Sequence, residues 1–243
     1  MTEWNWEARS LEFWRDYLES DKDNVRKLDA VTWQYKDGVL SVDNVVDGRA
    51  LKALHPNTRL LLETIKQLEP ESVADFGYGF GDILYNVALL LPDAKLCGYD
   101  IAAHKLECVR QRSPSLAERA ILKQRDIGVA GMFPPAELAY TSVVIMHILG
   151  QRRLTALRNI FETAQKHVVL MENWGSHSFM EDIESLYLTN WIERHFYYRY
   201  SPEFKRPHLM IVSKDNDLPY ERLYDYDATL RQPLARAKRE GRP

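Results

Sequence analysis

Residues 72 to 100, SVADFGYGFGDILYNVALLLPDAKLCGYD, constrain the fold more than any other stretch of the chain. Val73 to Phe76 is an apolar run of strand length, and Gly77, Gly79 and Gly81 follow it at alternate positions. Asp82 to Leu91 then sets Ile83, Leu84, Val87, Ala88 and Leu91 along one helical side until Pro92 stops the helix. Lys95 to Tyr99 is a second strand, with Asp100 at its end. Strand, glycine turn, helix and strand make a crossover unit, which builds a parallel sheet. In such sheets ligands lie in the crevice at the carboxyl ends of the strands, so the glycines stand where a ligand meets bare backbone.

The alternation continues downstream. Ala103 to Arg112 reads as a helix, Ile121 to Gln124 as a third strand, Leu138 to Ile145 as a fourth, Gln151 to Gln165 as a helix and His167 to Met171 as a fifth strand. Upstream, Asn57 caps a helix that uses Leu61, Ile65 and Leu68 and is closed by Pro70. The end breaks the rhythm: Glu193 to Tyr200 and His208 to Val212 are separated only by SPEFKRP. That leaves no room for a crossover helix, so these two strands are expected to pair antiparallel. The expected fold class is α/β, a mostly parallel sheet with helices on both faces and an antiparallel terminal hairpin.

Three regions follow. Residues 1–55 form an N-terminal cap, with a helix over residues 3 to 19 carrying Trp6, Leu11, Trp14 and Leu18 as buried packing or as a lid. VTWQYKDGVLSV then reads as a hairpin around Lys36, Asp37 and Gly38, because Asp-Gly is a favoured two-residue turn. Residues 56–215 hold the α/β domain, and residues 216–243 end in the basic tail LRQPLARAKREGRP.

The 243 residues, 45% hydrophobic, can bury a sizeable core, and a net charge of −3 argues against general binding to a nucleic-acid backbone. Cys97 and Cys108 have no metal-ligand spacing and are expected to be reduced core residues of a cytoplasmic protein, with no metal required. MTEWNWEARS is unlike a secretion signal, and no apolar stretch approaches the roughly 20 residues that span a bilayer.

The loop chemistry points to a nucleoside. Asp100 can accept hydrogen bonds from both ribose hydroxyls, Ile101 can cover one face of an adenine, and Asp126 can accept from its amino group with Ile127 beside it. A dinucleotide site wants G-x-G-x-x-G, whose last glycine falls on Asp82 here, and an aspartate at a helix start would repel a pyrophosphate.

DFGYGFG resembles the D/E-x-G-x-G-x-G signature of class I S-adenosylmethionine-dependent methyltransferases, and GYD, RDI and SVVIMHI follow in that family's order. The resemblance runs from Pro56 to about Ser213 and implies a Rossmann-like seven-stranded sheet with an antiparallel end. It implies S-adenosylmethionine as cofactor and S-adenosylhomocysteine as product. Asp75 opens the signature, Gly77, Gly79 and Gly81 would line the methionine part and ribose, Asp100 would bind the ribose, and Asp126 with Ile127 would frame the adenine. Tyr78 could reach the methionine end, and His55 and Arg59 the cofactor carboxylate.

A narrower likeness concerns the second half: ELAYTSVVIMHI, HVVLMENW and SPEFKRPHLMIVSK resemble the methyltransferase part of bacterial enzymes that cap O-polysaccharide chains. It implies a glycan or phosphoglycan acceptor, and a place in polysaccharide biosynthesis, although residues 1–55 do not share it. A hydroxyl acceptor must lose a proton, and His147 is the candidate base, with a structural histidine beside Met146 as the alternative. An ionised acceptor would instead need cations, for which Arg152, Arg153, Lys205 and Arg206 are candidates. Glu172 and Asn173 could orient an acceptor, and Trp174 could stack on a sugar.

The expected function is O-methyl transfer to a sugar-containing or other small-molecule acceptor. Methylation of RNA or protein competes with it, since Trp4, Trp6, Trp14 and the basic tail could hold a large partner. Against that, MHIL stands where amino-group methyltransferases often carry Asn-Pro-Pro-Tyr. A nicotinamide oxidoreductase and a non-catalytic cofactor-binding subunit are the readings outside the class.

Overall fold

The computed structural model describes residues 56–174, 179–199 and 209–225, together with the backbone of four short strands before them. Those strands are β1 (Thr32–Lys36), β2 (Val39–Asp43), β3 (Val45–Val46) and β4 (Arg49–Ala50). β1 and β2 pair antiparallel with Lys36 opposite Val39, which is the expected hairpin. β3 and β4 form a second short pair. The expected aromatic helix over residues 3 to 19 lies outside the described residues.

Helix α1 (Pro56–Leu68) opens on proline, whose fixed φ and missing N–H suit the first helical position. Leu61, Leu62 and Ile65 are fully buried along it. Glu69 adopts φ 43° and its amide reaches Ile65 O at 3.2 Å, ending the helix ahead of Pro70. The rest of the chain divides into two compact units, Leu62–Ile127 in one and Pro56–Leu61 with the residues from Gly128 onward in the other.

In the first unit β5 (Ser72–Phe76), β6 (Lys95–Asp100) and β7 (Ile121–Gln124) are parallel, with β6 in the middle. Val73 faces Leu96 and Asp100 faces Gln124 in register. Helix α2 (Asp82–Leu90) joins β5 to β6, and its end and the turn after it are closed by Arg119, which donates to the carbonyls of Ala88, Leu91 and Ala94. Helix α3 (His104–Arg112) follows β6 as the spacing predicts. Helix α4 (Pro114–Arg119) was not expected; the Ser113 hydroxyl caps it by accepting from the Leu116 amide at 3.3 Å, with Pro114 at its first position. Val73, Phe76, Leu84, Val87, Tyr99 and Val109 are buried and make this unit's core.

In the second unit β8 (Ala136–Ser142) and β9 (Ala164–Met171) are parallel, joined across helix α5 (Gly150–Thr163). After β9 come the short helix α6 (Met180–Ser185) and strands β10 (His195–Arg199), β11 (Leu209–Ser213) and β12 (Glu221–Arg222). β11 lies between β9 and β10 and is antiparallel to both, so the terminal hairpin forms as expected. β12 pairs antiparallel with β10, and with it the mixed, Rossmann-like α/β sheet counts eight strands among the described residues instead of seven. Tyr140, Leu157, Ile160, Phe161, Val168, Val169 and Ile211 form the core of this unit.

The fourth strand ends earlier than its sequence suggests. Leu138 to Ile145 reads as continuous strand, but β8 stops at Ser142, Val143 turns to φ 59°, and Ile145–His147 is a single 3₁₀ turn. A β-branched residue at positive φ is a strained outlier, and strain of this kind persists only where its surroundings over-determine it.

Among the described residues no helix is long and apolar enough to cross a membrane, and no group of three or more His, Cys, Asp or Glu could hold a metal ion.

Candidate active site

The loop after β5 is built by three left-handed glycines: Gly77 at φ 99°, Gly79 at φ 54° and Gly81 at φ 85°. An L side chain rarely adopts such angles, so the residue type follows from the path of the chain. The Gly77 amide donates to Tyr99 O at 2.7 Å, which ties the loop to the end of β6. The three differ in what their missing side chains leave. A Cβ on Gly81 would stand 2.9 Å from Val109 Cγ2, so Gly81 is there for close packing of α2 on α3 and α4. A Cβ on Gly79 would meet nothing nearer than Gly77 O at 4.0 Å, so the loop is open at Gly79.

Asp100 ends β6 beside this opening. One carboxylate oxygen accepts from the Gly79 amide at 2.9 Å and the other from the Ala102 amide at 2.9 Å. Both oxygens are thereby fixed, and each keeps a lone pair, because a carboxylate has about four acceptor positions. Ile101 is 41% exposed, Asp126 is partly exposed, and Ile127 is buried. Asp75 is buried within β5.

Tyr78 does not stand open in the loop. It is buried, with its ring against the bare Cα of Gly98, where a Cβ would fall 2.9 Å from Tyr78 Cδ1. Its hydroxyl has no hydrogen-bond partner, and burial, followed by the charges of Asp100 and Asp75, pushes its pKa upward. The ring belongs to the packing beneath the loop.

Two cations support the loop, and sequence reasoning had assigned them no role. Arg112 is buried at the end of α3 and donates to Phe80 O at 2.8 Å and to both carboxylate oxygens of Asp82 at 2.6 and 2.7 Å. Asp82 at the start of α2 is therefore ion-paired, so its expected repulsion of a pyrophosphate is offset by Arg112. Lys105 lies 3.2 Å from the centroid of the Phe80 ring, and burial lowers its pKa to about 8. An arginine at the end of a polar helix reads as a solvated residue, and only Asp82, thirty residues earlier, could have hinted otherwise.

In the second unit, a residue expected to orient an acceptor is enclosed by protein. Glu172 is 2% exposed. Its Oε1 accepts from Thr141 Oγ1 at 2.7 Å and from the amides of Val144 and Ile145 at 3.0 and 3.2 Å, and its Oε2 accepts from the Met146 amide at 3.3 Å. Burial pushes the carboxyl pKa up, while these hydrogen bonds pull it down. Burial outweighs them, so the carboxyl stands above the usual carboxylate range although all four contacts are donated to it.

Trp174 is buried too, its indole N–H donating to Leu170 O at 3.3 Å and its ring edge-on to Phe179 with centroids 5.1 Å apart. The structure thus places it in packing, where it offers no face to a sugar. Arg153 is bound to Asp182 at 2.6 Å and lies over Phe179. Arg152 and Asn173 are partly exposed, as is Arg59 on α1. His147 closes the 3₁₀ turn, its amide donating to Val144 O at 3.0 Å. His55, Lys205 and Arg206 lie outside the described residues.

No protein-family model matches the chain, and no curated protein does. Among solved structures it is similar to the methyltransferase domain of bacterial CtHen1, at 20% identity and a TM-score of 0.47 over 65% of this chain and 97% of that one. It is similar to an O-methyltransferase family protein from Burkholderia thailandensis, at 13% identity and a TM-score of 0.47 over 64% and 56%. A third is CalS10, an amino pentose methyltransferase from Micromonospora echinaspora, at 17% identity and a TM-score of 0.43 over 51% and 52%. The chain spans about half the length of the last two.

Proposed function

We propose that this chain is an S-adenosylmethionine-dependent O-methyltransferase acting on a small-molecule acceptor. The observation that carries the reading is Asp100: a carboxylate fixed through both oxygens by the Gly79 and Ala102 amides, at a strand end, beside a loop that is open at Gly79. A pre-oriented acceptor pair of this kind suits the two hydroxyls of a ribose. Gly77 and Gly79 would admit the nucleoside and methionine portions against the backbone, Ile101 would cover the adenine, and Asp126 would accept from its amino group. The bound cofactor would supply a methyl group made electrophilic by its sulfonium.

What remains for the protein in such a displacement is to align the acceptor and exclude water. For a hydroxyl acceptor, His147 is the candidate base that takes the proton. Arg152 and Arg206 are the candidate cations for an ionised acceptor, and Asn173 a candidate polar contact. A sugar-containing acceptor, including a surface glycan or its phosphate, follows from the resemblance in sequence; the buried Trp174 lends it no stacking platform. The proposed domain starts at residue 56 and runs past the expected limit of 215 to take in β12, with the preceding residues as a cap, working in the cytoplasm without a metal.

Against a nicotinamide dinucleotide stands the first position of α2. There Asp82 takes the place of the last glycine of G-x-G-x-x-G.

The test is calorimetric titration of S-adenosylmethionine, S-adenosylhomocysteine and the nicotinamide dinucleotides into the wild-type protein and Asp100→Ala. Binding of the first two that weakens at least tenfold in the variant supports the reading. Folded wild-type protein that binds a nicotinamide dinucleotide and neither sulfur ligand would sink it.

A further inference from the structure

Glu172 sits one residue beyond β9, yet its four hydrogen bonds all go to residues 141 to 146 at and after the end of β8. Three of them come from consecutive amides, those of Val144, Ile145 and Met146. Consecutive amides converging on one acceptor group form a nest, a concavity suited to an anion. In this protein the group that fills it, the Glu172 carboxyl, is internal. The same short segment contains Val143 at φ 59°, a β-branched residue in a conformation it would not adopt unaided, and that residue is 52% exposed. The Val143 amide is held by Met171 O at 2.8 Å, so the turn is pinned from the β9 side at two adjacent residues, Met171 and Glu172. His147 is the next residue after the nest, and its own amide closes the turn on Val144 O.

A strand that simply ran on through Val144 would carry His147 elsewhere, since a break in the extended path changes which face every later side chain meets. The turn therefore decides the position of the candidate base, and the Glu172 carboxylate holds the turn.

We infer that Glu172 is the positioning residue for His147: its buried carboxylate, through the amides of residues 144 to 146, sets the turn that carries the base and does not itself contact the acceptor. The inference rests on the reading of His147 as the base. It replaces the expectation that Glu172 binds acceptor with a role one step removed from it.

Glu172→Gln is the test, since it keeps the shape and replaces one acceptor oxygen by an amide nitrogen that can only donate. Nuclear magnetic resonance on labelled full-length protein reads the result. The expected outcome is at least a tenfold rise in hydrogen exchange at Val144, Ile145 and Met146, with exchange at Val168 to Leu170 in β9 within threefold of wild type. The His147 imidazole resonances and their titration midpoint should move as well. S-adenosylmethionine affinity should stay within threefold, and with any acceptor that turns over, kcat should fall more than KM rises. Unchanged His147 resonances and titration would overturn the inference, as would an even rise in exchange across β9. Should that variant fail to fold, Thr141→Val removes one donor and leaves the carboxylate; His147 resonances that shift support the positioning role, and ones that do not overturn it. Failure of the wild type to bind S-adenosylmethionine would sink the methyl-transfer reading while leaving the His147 resonances to report on Glu172.

Discussion

Arg112 holds Asp82 through two parallel hydrogen bonds of 2.6 and 2.7 Å and, with the same guanidinium, the Phe80 carbonyl at 2.8 Å. One buried side chain thus fixes both ends of the segment that leads from the glycine loop into α2. The partners are unequal: the Arg112 side chain is 1% exposed and that of Asp82 48%. Removing Asp82 strands a buried cation, whereas removing Arg112 leaves a carboxylate that water can reach. Asp82→Ala should therefore destabilise more than Arg112→Met, by about 2 kcal/mol against about 1 kcal/mol, a reduced share of what breaking a fully buried pair costs. Urea denaturation of the two variants checks the order, and equal losses would mean that the cation is better solvated than its burial indicates.

The glycines separate stability from binding. Gly81→Ala brings a methyl group 2.9 Å from Val109 Cγ2 and 3.3 Å from Leu116 Cδ2 at φ 85°, so it combines overpacking with backbone strain. A loss of about 2 to 4 kcal/mol is expected. Gly79→Ala has only the strain of φ 54°, about 1 to 2 kcal/mol, because the space around it is open. If that space admits the cofactor, Gly79→Ala should weaken S-adenosylmethionine binding at least tenfold while remaining folded. Thermal melts paired with calorimetry would show it, and tight binding by Gly79→Ala would mean that the opening serves something else.

Much of this was legible in the chain because it is local. The β5 to β7 strands and helices α2 and α3 follow from apolar periodicity, from Pro92 and from the glycines, and the observed limits lie within a residue or so of those expected. The place of Asp100 at the end of β6 was legible because the apolar strand before it sets where it falls. What the chain hid depends on contacts distant in sequence. Val143 and Val144 are good strand formers, and only Glu172, almost thirty residues later, explains why the strand stops before them. Glu172 and Trp174 read as active-face polar and aromatic residues, but both are buried, one collecting four donors and the other donating to Leu170 O. Periodicity records which face of an element is apolar. It says nothing of which buried polar groups find each other.

His167 offers a last, pH-dependent consequence. It lies in β9, 1% exposed, with Nδ1 2.9 Å from the hydroxyl of Ser213, its register partner on β11, and Asp215 Oδ2 3.9 Å from Nε2. Burial, reinforced by Lys166 and opposed by Asp215 and Glu137, lowers its pKa from 6.5 to about 4. Between those two values the unfolded chain binds a proton that the folded chain does not, so acid favours unfolding. The stabilisation is complete above pH 6.5 and is lost as the pH falls toward about 4. The full difference is on the order of 3 kcal/mol at 1.36 kcal/mol for each pKa unit. Denaturant titrations at pH 7.0 and pH 4.5 should show the wild type losing roughly 2 to 3 kcal/mol more than His167→Gln, which cannot titrate. An equal loss in both proteins would assign the acid sensitivity to other groups and place the His167 pKa near that of a solvated imidazole.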